Sequence, residues 1–450
     1  MRTIRIGAGA GYAGDRIEPA VELMKNGRLD YIIFECLAER TIALAQQEKL
    51  KDTEKGFNPL LEYRMDKILP LCAKNHIKVI TNMGAANPVS AAKAIKAMAQ
   101  ERGIRGLKIA AVTGDDVYSN IGQYLELTVM ETGKKLKEIQ TSIISANAYI
   151  GMEGIVRALK ENADIVITGR VSDPSLTVGP LMHEFGWEPA DYERLGKATA
   201  AGHLLECGAQ VTGGYFADPG YKEVEGLWNV GFPIAEINEN GDITLSKLPE
   251  AGGVVSTATV KEQIVYEIHD PAMYLTPDVI ADFSQIEVDE TSPDHVLVTG
   301  ATGTRKSGFY KTSVGYQDGY IVEAEISYGG SGCFHRAKLA EVIIRKRIEH
   351  SNIQMKDFTI DFIGVSSLYG ESISKSLNPN NLPSEVRLRI AARTTEQKDA
   401  LAIGQEVEAL YTNGPAGGGG VRVNIEDIVS IASILIPESD IHIDVLCEEV

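Results

Sequence analysis

A glycine-rich turn near the start of the chain places the strongest constraint on its fold. It separates the apolar alternation at residues 4–6 from a helical pattern at 17–24, and an apolar run at 31–34 then ends at Glu35. The turn contains four glycines, Gly7, Gly9, Gly11 and Gly14. A strand, a glycine turn, a helix and a second strand that ends at an acid are typical of the first unit of an α/β sheet. In such sheets ligands bind beyond the carboxyl ends of the strands, so we expect Glu35 to border a ligand crevice.

Three interpretations of this turn follow from its residues. The spacing Gly9-x-Gly11-x-x-Gly14, with an acid about 20 residues later, matches a dinucleotide-binding fingerprint. Asp15, however, comes directly after the last glycine and would repel a pyrophosphate. The glycines could instead allow the first helix to pack closely on the sheet. We favour a third interpretation, a small anion bound by the helix N-terminus with Arg16 as its counter-charge.

The composition excludes several classes of protein. The 450 residues include 44 Lys and Arg against 62 Asp and Glu, and the net charge of −18 argues against nucleic acid and anionic membranes as partners. No apolar run reaches the roughly 18 residues of a membrane span, and no signal-peptide core is present, so we expect a cytoplasmic protein. The five cysteines are dispersed without a Cys-x-x-Cys pair. This argues against a disulfide scaffold and against a metal site built from soft ligands.

The order of the predicted elements indicates two domains of different class. Residues 1–220 alternate strands and helices, which predicts an α/β domain with a mostly parallel, helix-covered sheet and a strand-end crevice. A glycine- and proline-rich cluster that ends at Gly220 marks the boundary. Residues 221–450 contain runs of strands, a few helices and glycine-rich loops, which predicts an α+β domain. Near its end we expect a helix at Ile425–Ile436 and a final strand at Ile441–Leu446.

Polar side chains follow the ends of the predicted strands in the first domain. Because the carboxyl ends of parallel strands share one edge, we expect these side chains to converge on one crevice. A buried carboxylate can be tuned for proton transfer, which makes acid/base candidates of Glu35, Asp115 and Asp15. The arginine fork suits a carboxylate or phosphate. The ligand-binding candidates are Gly9, Gly11, Gly14, Arg16, Asn82, Asn87, Arg170 and Asp173. The alternative is that these aspartates cap helices and the asparagines form turns.

Two further groups lie outside this edge. His203, Glu206 and Cys207 share one face of a predicted helix. Glu206 joins the catalytic candidates because a carboxylate at this position would be unfavourable to bury without a purpose. Gly417 and Gly418 belong to a run of four glycines, whose ordering is unfavourable unless a ligand or a neighbouring subunit needs the bare backbone.

Six long motifs are distributed over nearly the whole chain. They occupy residues 9–23, 29–46, 82–88, 168–173, 202–214 and 415–420. Together they resemble the acyclic terpene utilisation, or AtuA-like, family. The resemblance implies a role in the breakdown of citronellol- and geraniol-type compounds through coenzyme A thioesters.

These observations predict an enzyme that acts on a carboxylate or acyl-coenzyme A with an acyclic terpenoid or branched skeleton. We expect proton-transfer chemistry of the lyase or isomerase class, such as hydration, dehydration or isomerisation, with glycine N–H groups stabilising an enolate. The alternatives are a nucleotide-cofactor oxidoreductase and, from the resemblance, a non-catalytic subunit that needs a small, separately encoded partner domain. We expect a small anionic substrate and a homo-oligomer, with no nucleic-acid or membrane partner. The cofactor is unassigned: coenzyme A would enter as part of the substrate, and Mg²⁺ at oxygen ligands stays open without support from the residues.

Overall fold

The chain folds into two compact units in a computed structural model that describes residues 2–377 and 383–450. The first unit comprises Met1–Gly315 and Ile431–Val450, and the second comprises Tyr316–Ser430. The chain therefore leaves the first unit once and returns to it for its last residues. These junctions do not confirm the predicted boundary at residue 220. Within the described ranges, no helix has the length and apolar character that crossing a bilayer requires.

Strands and helices alternate in the first half of the chain, and strands dominate afterwards. The strands are β1 (Thr3–Ala10), β2 (Tyr31–Phe34), β3 (Lys78–Thr81), β4 (Lys108–Thr113), β5 (Ile143–Ala148), β6 (Ile165–Thr168), β7 (Ile234–Asn238), β8 (Ile243–Ser246), β9 (Tyr274–Leu275), β10 (Ile280–Asp282), β11 (Glu287–Ser292), β12 (His295–Thr299), β13 (Thr302–Thr304), β14 (Phe309–Gly329), β15 (Asp357–Ile363), β16 (Glu385–Thr394), β17 (Gly418–Pro437) and β18 (Asp444–Glu449). The α-helices are α1 (Glu18–Asn26), α2 (Glu39–Lys51), α3 (Leu61–Asn75), α4 (Pro88–Glu101), α5 (Glu153–Lys160), α6 (Ser175–Phe185), α7 (Tyr192–Glu206), α8 (Thr257–Val265), α9 (Cys333–His350), α10 (Gly370–Leu377), α11 (Gln397–Glu408) and α12 (Leu410–Asn413). Short 3₁₀ helices occupy Tyr118–Tyr124, Leu136–Ser142, Gly208–Thr212, Leu227–Asn229 and Glu438–Asp440.

A ten-stranded mixed sheet forms the centre of the first unit, in the order β11-β12-β8-β7-β1-β2-β3-β6-β4-β18. The five strands β1, β2, β3, β6 and β4 pair in parallel, as the alternation of strands and helices predicted. Antiparallel strands extend the sheet at both edges, with β7 beside β1 and β18 beside β4. Helices on both faces explain why the central strands are continuous apolar runs, such as the fully buried Tyr31–Phe34. The parallel strands all end at the same edge of this sheet. The polar residues that follow these strands therefore lie along that edge.

The first glycines of the opening turn lie inside β1, which continues to Ala10 instead of ending before Gly7. A Cβ atom on Gly9 would lie 2.5 Å from Cζ of Phe34, so a larger residue cannot fit beside that ring. A Cβ atom on Gly11 would lie 2.3 Å from the backbone carbonyl carbon of Cys207. These glycines therefore serve close packing of β1 against β2 and against the end of α7.

The second unit is built on a βαββαβ pattern. Its strands lie in the order β15-β16-β14-β17, and both β14 and β15 pair with β16 in antiparallel orientation. This is the split βαβ, ferredoxin-like arrangement. Apolar side chains from alternate positions of β14 and β16 form a separate core with α9 and α11, which includes Val322, Ile390, Ile344 and Ile403.

The helix predicted at Ile425–Ile436 is wrong, because these residues belong to the long strand β17. The apolar residues at 425, 428, 429 and 432 have helical spacing. The segment is, however, rich in Ile and Val, whose β-branched side chains favour extended backbone when neighbouring strands are available. The final strand was correctly expected and forms β18, three residues later than predicted at each end.

Candidate functional site

A cavity of about 910 Å³ opens in the first unit, beyond the carboxyl ends of the parallel strands. Gly11 follows β1, Glu35 follows β2 and Arg170 follows β6, and all three line the cavity. Helix α7 contributes His203 and Glu206 from its last turn. The volume lies in the range of about 300–1,000 Å³ that is usual for small-molecule sites.

The structure brings six of the predicted site residues to this cavity and leaves eight outside it. Those that line the cavity are Asp15, Glu35, Glu206, Gly11, Arg170 and Asp173. Those that do not line it are Asp115, Gly9, Gly14, Arg16, Asn82, Asn87, Gly417 and Gly418. The convergence of strand ends therefore places Glu35, Arg170 and Asp173 together. Of the opening glycines that were predicted to bind a ligand, Gly11 lines the cavity and Gly9 and Gly14 do not. Gly417 and Gly418 belong to the second unit.

The Glu35 carboxyl group is held at the cavity by two hydrogen bonds to one of its oxygens. Its Oε1 accepts from the backbone N–H of Leu37 at 2.8 Å and from Nδ2 of Asn82 at 3.0 Å. Burial, together with the nearby charge of Asp173, raises the pKa of Glu35 to about 8, although Arg170 and the two hydrogen bonds oppose the increase. Asn82 is fully buried and also accepts from the N–H of Cys36 at 2.7 Å. Burial therefore favours the protonated form of Glu35, and the hydrogen bond from Asn82 fixes the orientation of its carboxyl group.

Arg170 is buried with its positive charge already paired. Its Nη1 and Nη2 atoms donate to the two oxygens of Asp173 at 3.0 and 3.2 Å, and Nη1 also donates to the carbonyl of Leu37. The guanidinium carbon lies 3.9 Å from the ring centroid of Tyr149, a cation–π contact. Apart from Arg170 and histidine, the described residues of the cavity wall include one basic side chain, Lys311. Its Nζ atom lies 3.2 Å from Oε1 of Glu39. An anionic ligand would therefore compete with carboxylates that these cations already hold.

Asp115 lies behind the cavity and links three strand ends. Its Oδ2 accepts from the N–H of Arg170 and from Nδ2 of Asn147, each at 2.9 Å. Its carbonyl oxygen accepts from the N–H of Ala148 at 2.7 Å. Burial raises the pKa of Asp115 to about 6, while these two hydrogen bonds stabilise its charged form. Both donors are protein groups, so Asp115 fixes the loop that carries Arg170.

Asp15 uses the backbone of the opening turn as its own hydrogen-bond donor. Its two oxygens accept from the N–H groups of Gly11 at 2.9 Å and Arg16 at 2.8 Å. An anion was expected beside this turn, at the N-terminus of the first helix, and in the turn itself the Asp15 carboxylate is the acceptor. The Arg16 side chain is exposed and donates to the carbonyl of Trp228 at 3.2 Å, away from the cavity.

Asn87 has a structural role as the N-cap of α4, whereas the alternative interpretation had placed the asparagines in turns. Its side chain accepts from the N–H of Ser90 at the start of α4. Its Nδ2 donates to the carbonyl oxygens of Thr53 and Lys55, each at 2.8 Å. Asn87 therefore holds the connection between α2 and α3 against α4.

The His203–Glu206 pair on α7 forms a further polar feature of the cavity wall. Nδ1 of His203 lies 2.7 Å from Oε1 of Glu206, and Nε2 lies 2.8 Å from the carbonyl oxygen of Gln263. Burial raises the pKa of Glu206 to about 7, although His203 opposes the increase. The second oxygen of Glu206 is buried and has no hydrogen-bond partner in the described part of the chain. Cys207, which burial makes a weaker acid with a pKa well above its usual value, is a poor nucleophile.

Sequence reasoning missed the aromatic and apolar part of the wall. Six tyrosines line the cavity, at positions 12, 149, 215, 266, 274 and 310, together with apolar side chains such as Leu37, Ile268 and Phe309. Tyr149 is the first residue after β5, so the argument from strand ends could have identified it. The residues from 266 to 311 were assigned to another domain, and no local signal placed them here. In the ranges 2–377 and 383–450, no three His, Cys, Asp or Glu side chains are arranged to hold a metal ion.

The comparison with protein families gives one match over nearly the whole chain. The model described as "Acyclic terpene utilisation family protein AtuA" matches residues 4–447. No curated protein matches the chain.

Proposed function

The chain belongs to the acyclic terpene utilisation family AtuA, and from that premise we propose that it is a proton-transfer enzyme of acyclic terpenoid breakdown. Its substrate is a carboxylate or acyl-coenzyme A with a branched, acyclic skeleton. The reaction is a hydration, dehydration or isomerisation. The observation that carries the proposal is the Glu35 carboxyl group at the wall of a large cavity, where burial raises its pKa to about 8.

The chemistry needs two groups with different proton affinities. Dehydration next to a carbonyl group requires a base that removes a proton from carbon and an acid that protonates the departing hydroxyl group. We assign Glu35 as the acid, because burial favours its protonated form, and Glu206 as the base, because the neighbouring His203 stabilises its charged form. Carboxyl groups in such different environments are a common basis for a division of roles.

The cavity wall supports a substrate with an apolar body. Leu37, Ile268, Phe309 and the tyrosine rings offer the dispersion contacts that a branched hydrocarbon needs. The two cations in the wall, Arg170 and Lys311, are already paired with carboxylates. The phosphates of coenzyme A would therefore stay outside, and only the acyl part would enter.

A turnover screen tests the proposal. Purified protein is incubated in D₂O with branched 3-hydroxyacyl and unsaturated acyl thioesters and with the free acids. Mass spectrometry then detects gain or loss of water and deuterium incorporated at carbon. We expect turnover of at least one branched substrate, and a loss of roughly 10²–10⁴-fold in Glu35→Gln. Glu101→Gln, an exposed carboxylate at the end of α4, is the control for a charge change remote from the cavity. Full activity of Glu35→Gln would remove Glu35 from the mechanism.

A further inference from the structure

Both ring nitrogens of His203 are engaged by protein groups, which restricts what this residue can do. The side chain is 2% exposed and lies between α7 and α8. Nε2 lies 2.8 Å from the Gln263 carbonyl oxygen, and Nδ1 lies 2.7 Å from Oε1 of Glu206. Because neither nitrogen is free, His203 cannot take a proton from a substrate directly.

The partners of His203 determine which nitrogen carries hydrogen. A carbonyl oxygen can only accept, so Nε2 must carry a hydrogen and donate to Gln263. Gln263 is itself fixed, because its Nε2 donates to the backbone carbonyl of His203 at 3.0 Å. Nδ1 then either accepts from a protonated Glu206 or donates to an ionised one. One proton is therefore shared between Nδ1 of His203 and Oε1 of Glu206.

The His203–Glu206 pair is enclosed by aromatic side chains, and one oxygen of Glu206 has no hydrogen-bond partner in the described residues. The imidazole ring is covered by Tyr274 and Phe283, with centroids 5.7 and 5.9 Å away. Oε2 of Glu206 is buried without a partner in the described residues, and Glu206 lines the cavity. A buried carboxyl oxygen without a donor is unfavourable unless a ligand or solvent completes it.

We propose that His203 is a positioning residue that holds the shared proton of Glu206, so that Oε2 of Glu206 exchanges a proton with the substrate. The proposal rests on the proposed function for the identity of the reaction, and it adds the residue that controls the second acid/base group. In the forward step, ionised Glu206 takes the proton from substrate carbon at Oε2, and the electron pair of the C–H bond stays on the substrate. The Nδ1–H of the imidazolium meanwhile remains hydrogen-bonded to Oε1. The reverse step returns the proton from Oε2.

The charges that face the pair support this arrangement. Burial lowers the pKa of His203, but the Glu206 charge and the two hydrogen bonds outweigh burial and leave the pKa above its usual value. The other titratable groups that interact with Glu206 or His203 are Asp173 after β6, Glu267 after α8, Tyr274 on β9 and the adjacent Cys207. The negative charges of Asp173 and Glu267 favour an imidazolium over a neutral ring.

Nuclear magnetic resonance of the full chain with ¹⁵N-labelled histidine tests the proton arrangement without any substrate. We expect His203 to keep a protonated Nε2 at all pH values and to keep a protonated or shared Nδ1 above the usual histidine pKa of about 6.5. In Glu206→Gln the Nδ1 proton should be lost at neutral pH. His183 on α6 is the internal control, whose signals should not change, because the charges that act on it are those of Glu184, Lys78, Lys160 and Arg2. A His203 with unprotonated Nε2, or one whose titration is the same in Glu206→Gln, would overturn the proposal.

An activity measurement separates positioning from folding. With a substrate from the turnover screen, His203→Gln should lower kcat roughly hundredfold with little change in KM, and should shift the pH profile. Thermal unfolding checks that the variant is folded. If His203→Gln does not fold, the spectra of Glu206→Gln decide the question alone. An unchanged pH profile in a folded His203→Gln would contradict the proposal. A failed turnover screen with the expected spectra would refute the proposed function and leave the shared proton in place.

Discussion

The raised pKa of Glu35 has a consequence for stability that can be measured without a substrate. The folded protein keeps this proton up to a pKa of about 8, whereas a carboxyl group with the ordinary value of 4.5 releases it earlier. As pH rises from 4.5, the unfolded chain therefore loses its proton first, and the native state becomes progressively less favourable. This loss of stability grows until the pH reaches the pKa of Glu35 in the folded protein, and it is absent below pH 4.5.

The magnitude follows from the difference between the two proton affinities. Each pH unit above the unfolded pKa of 4.5 lowers the free energy of unfolding by about 1.36 kcal/mol. At pH 7 the decrease is therefore about 3 kcal/mol. Glu35 retains some solvent exposure at the cavity, so this figure is an upper limit. Glu35→Gln keeps Oε1 as an acceptor for Leu37 and Asn82 and cannot ionise. We therefore expect it to raise the free energy of unfolding by about 1–3 kcal/mol at pH 7 and by less than about 1 kcal/mol at pH 5.

Chemical denaturation of the wild type and Glu35→Gln at pH 5, 6, 7 and 8 measures this difference. The variant Glu101→Gln is the control, because it makes the same substitution at an exposed position remote from the cavity. If Glu35→Gln changes the free energy of unfolding equally at all four pH values, Glu35 ionises normally in the folded protein. The argument for a protonated acid at the cavity would then be lost.

Two further perturbations test the packing and the hydrogen bonds around the site. Gly11→Ala places a Cβ atom 2.3 Å from the backbone of Cys207 and should lower the melting temperature, with a loss of about 1–3 kcal/mol or more. Gly14→Ala is the matched control, since its new atom would meet only a side chain, at 3.0 Å, and a loss as large as that of Gly11→Ala would contradict the packing account. Asp115→Ala leaves the buried N–H of Arg170 without its acceptor and should reduce the free energy of unfolding by about 1–3 kcal/mol in denaturant titration. Asp115→Asn retains an oxygen acceptor and should lose less; equal losses would mean that the hydrogen bond contributes little.

The acidic character of the cavity bears on substrate choice. Asp173 and Glu39 neutralise the two cations of the wall, and burial raises the pKa of both Glu35 and Glu206. The site can therefore donate and accept protons without presenting a free positive charge. In the proposed function, hydrogen bonds to a carbonyl or hydroxyl oxygen of the substrate would then position it.

The sequence by itself determined the parallel core of the first sheet and part of the site. Apolar runs alternating with helical patterns identify buried parallel strands, and the residues after those strands must lie at one edge. This is why Glu35, Arg170 and Asp173 could be placed together before any coordinates. It is a local argument, since each residue is located by the strand that precedes it.

Only the tertiary structure decided what the glycines do and which distant segments complete the cavity. Gly9 and Gly11 are required by Phe34 and by the backbone of Cys207, and the second of these partners is nearly two hundred residues away. The tertiary structure also decided that β17 is a strand, although its apolar residues have helical spacing. It likewise decided that residues between 266 and 311 contribute to the cavity wall. Contacts between parts of the chain far apart in sequence leave no periodic local signal, so their outcome depends on packing that only the folded chain specifies.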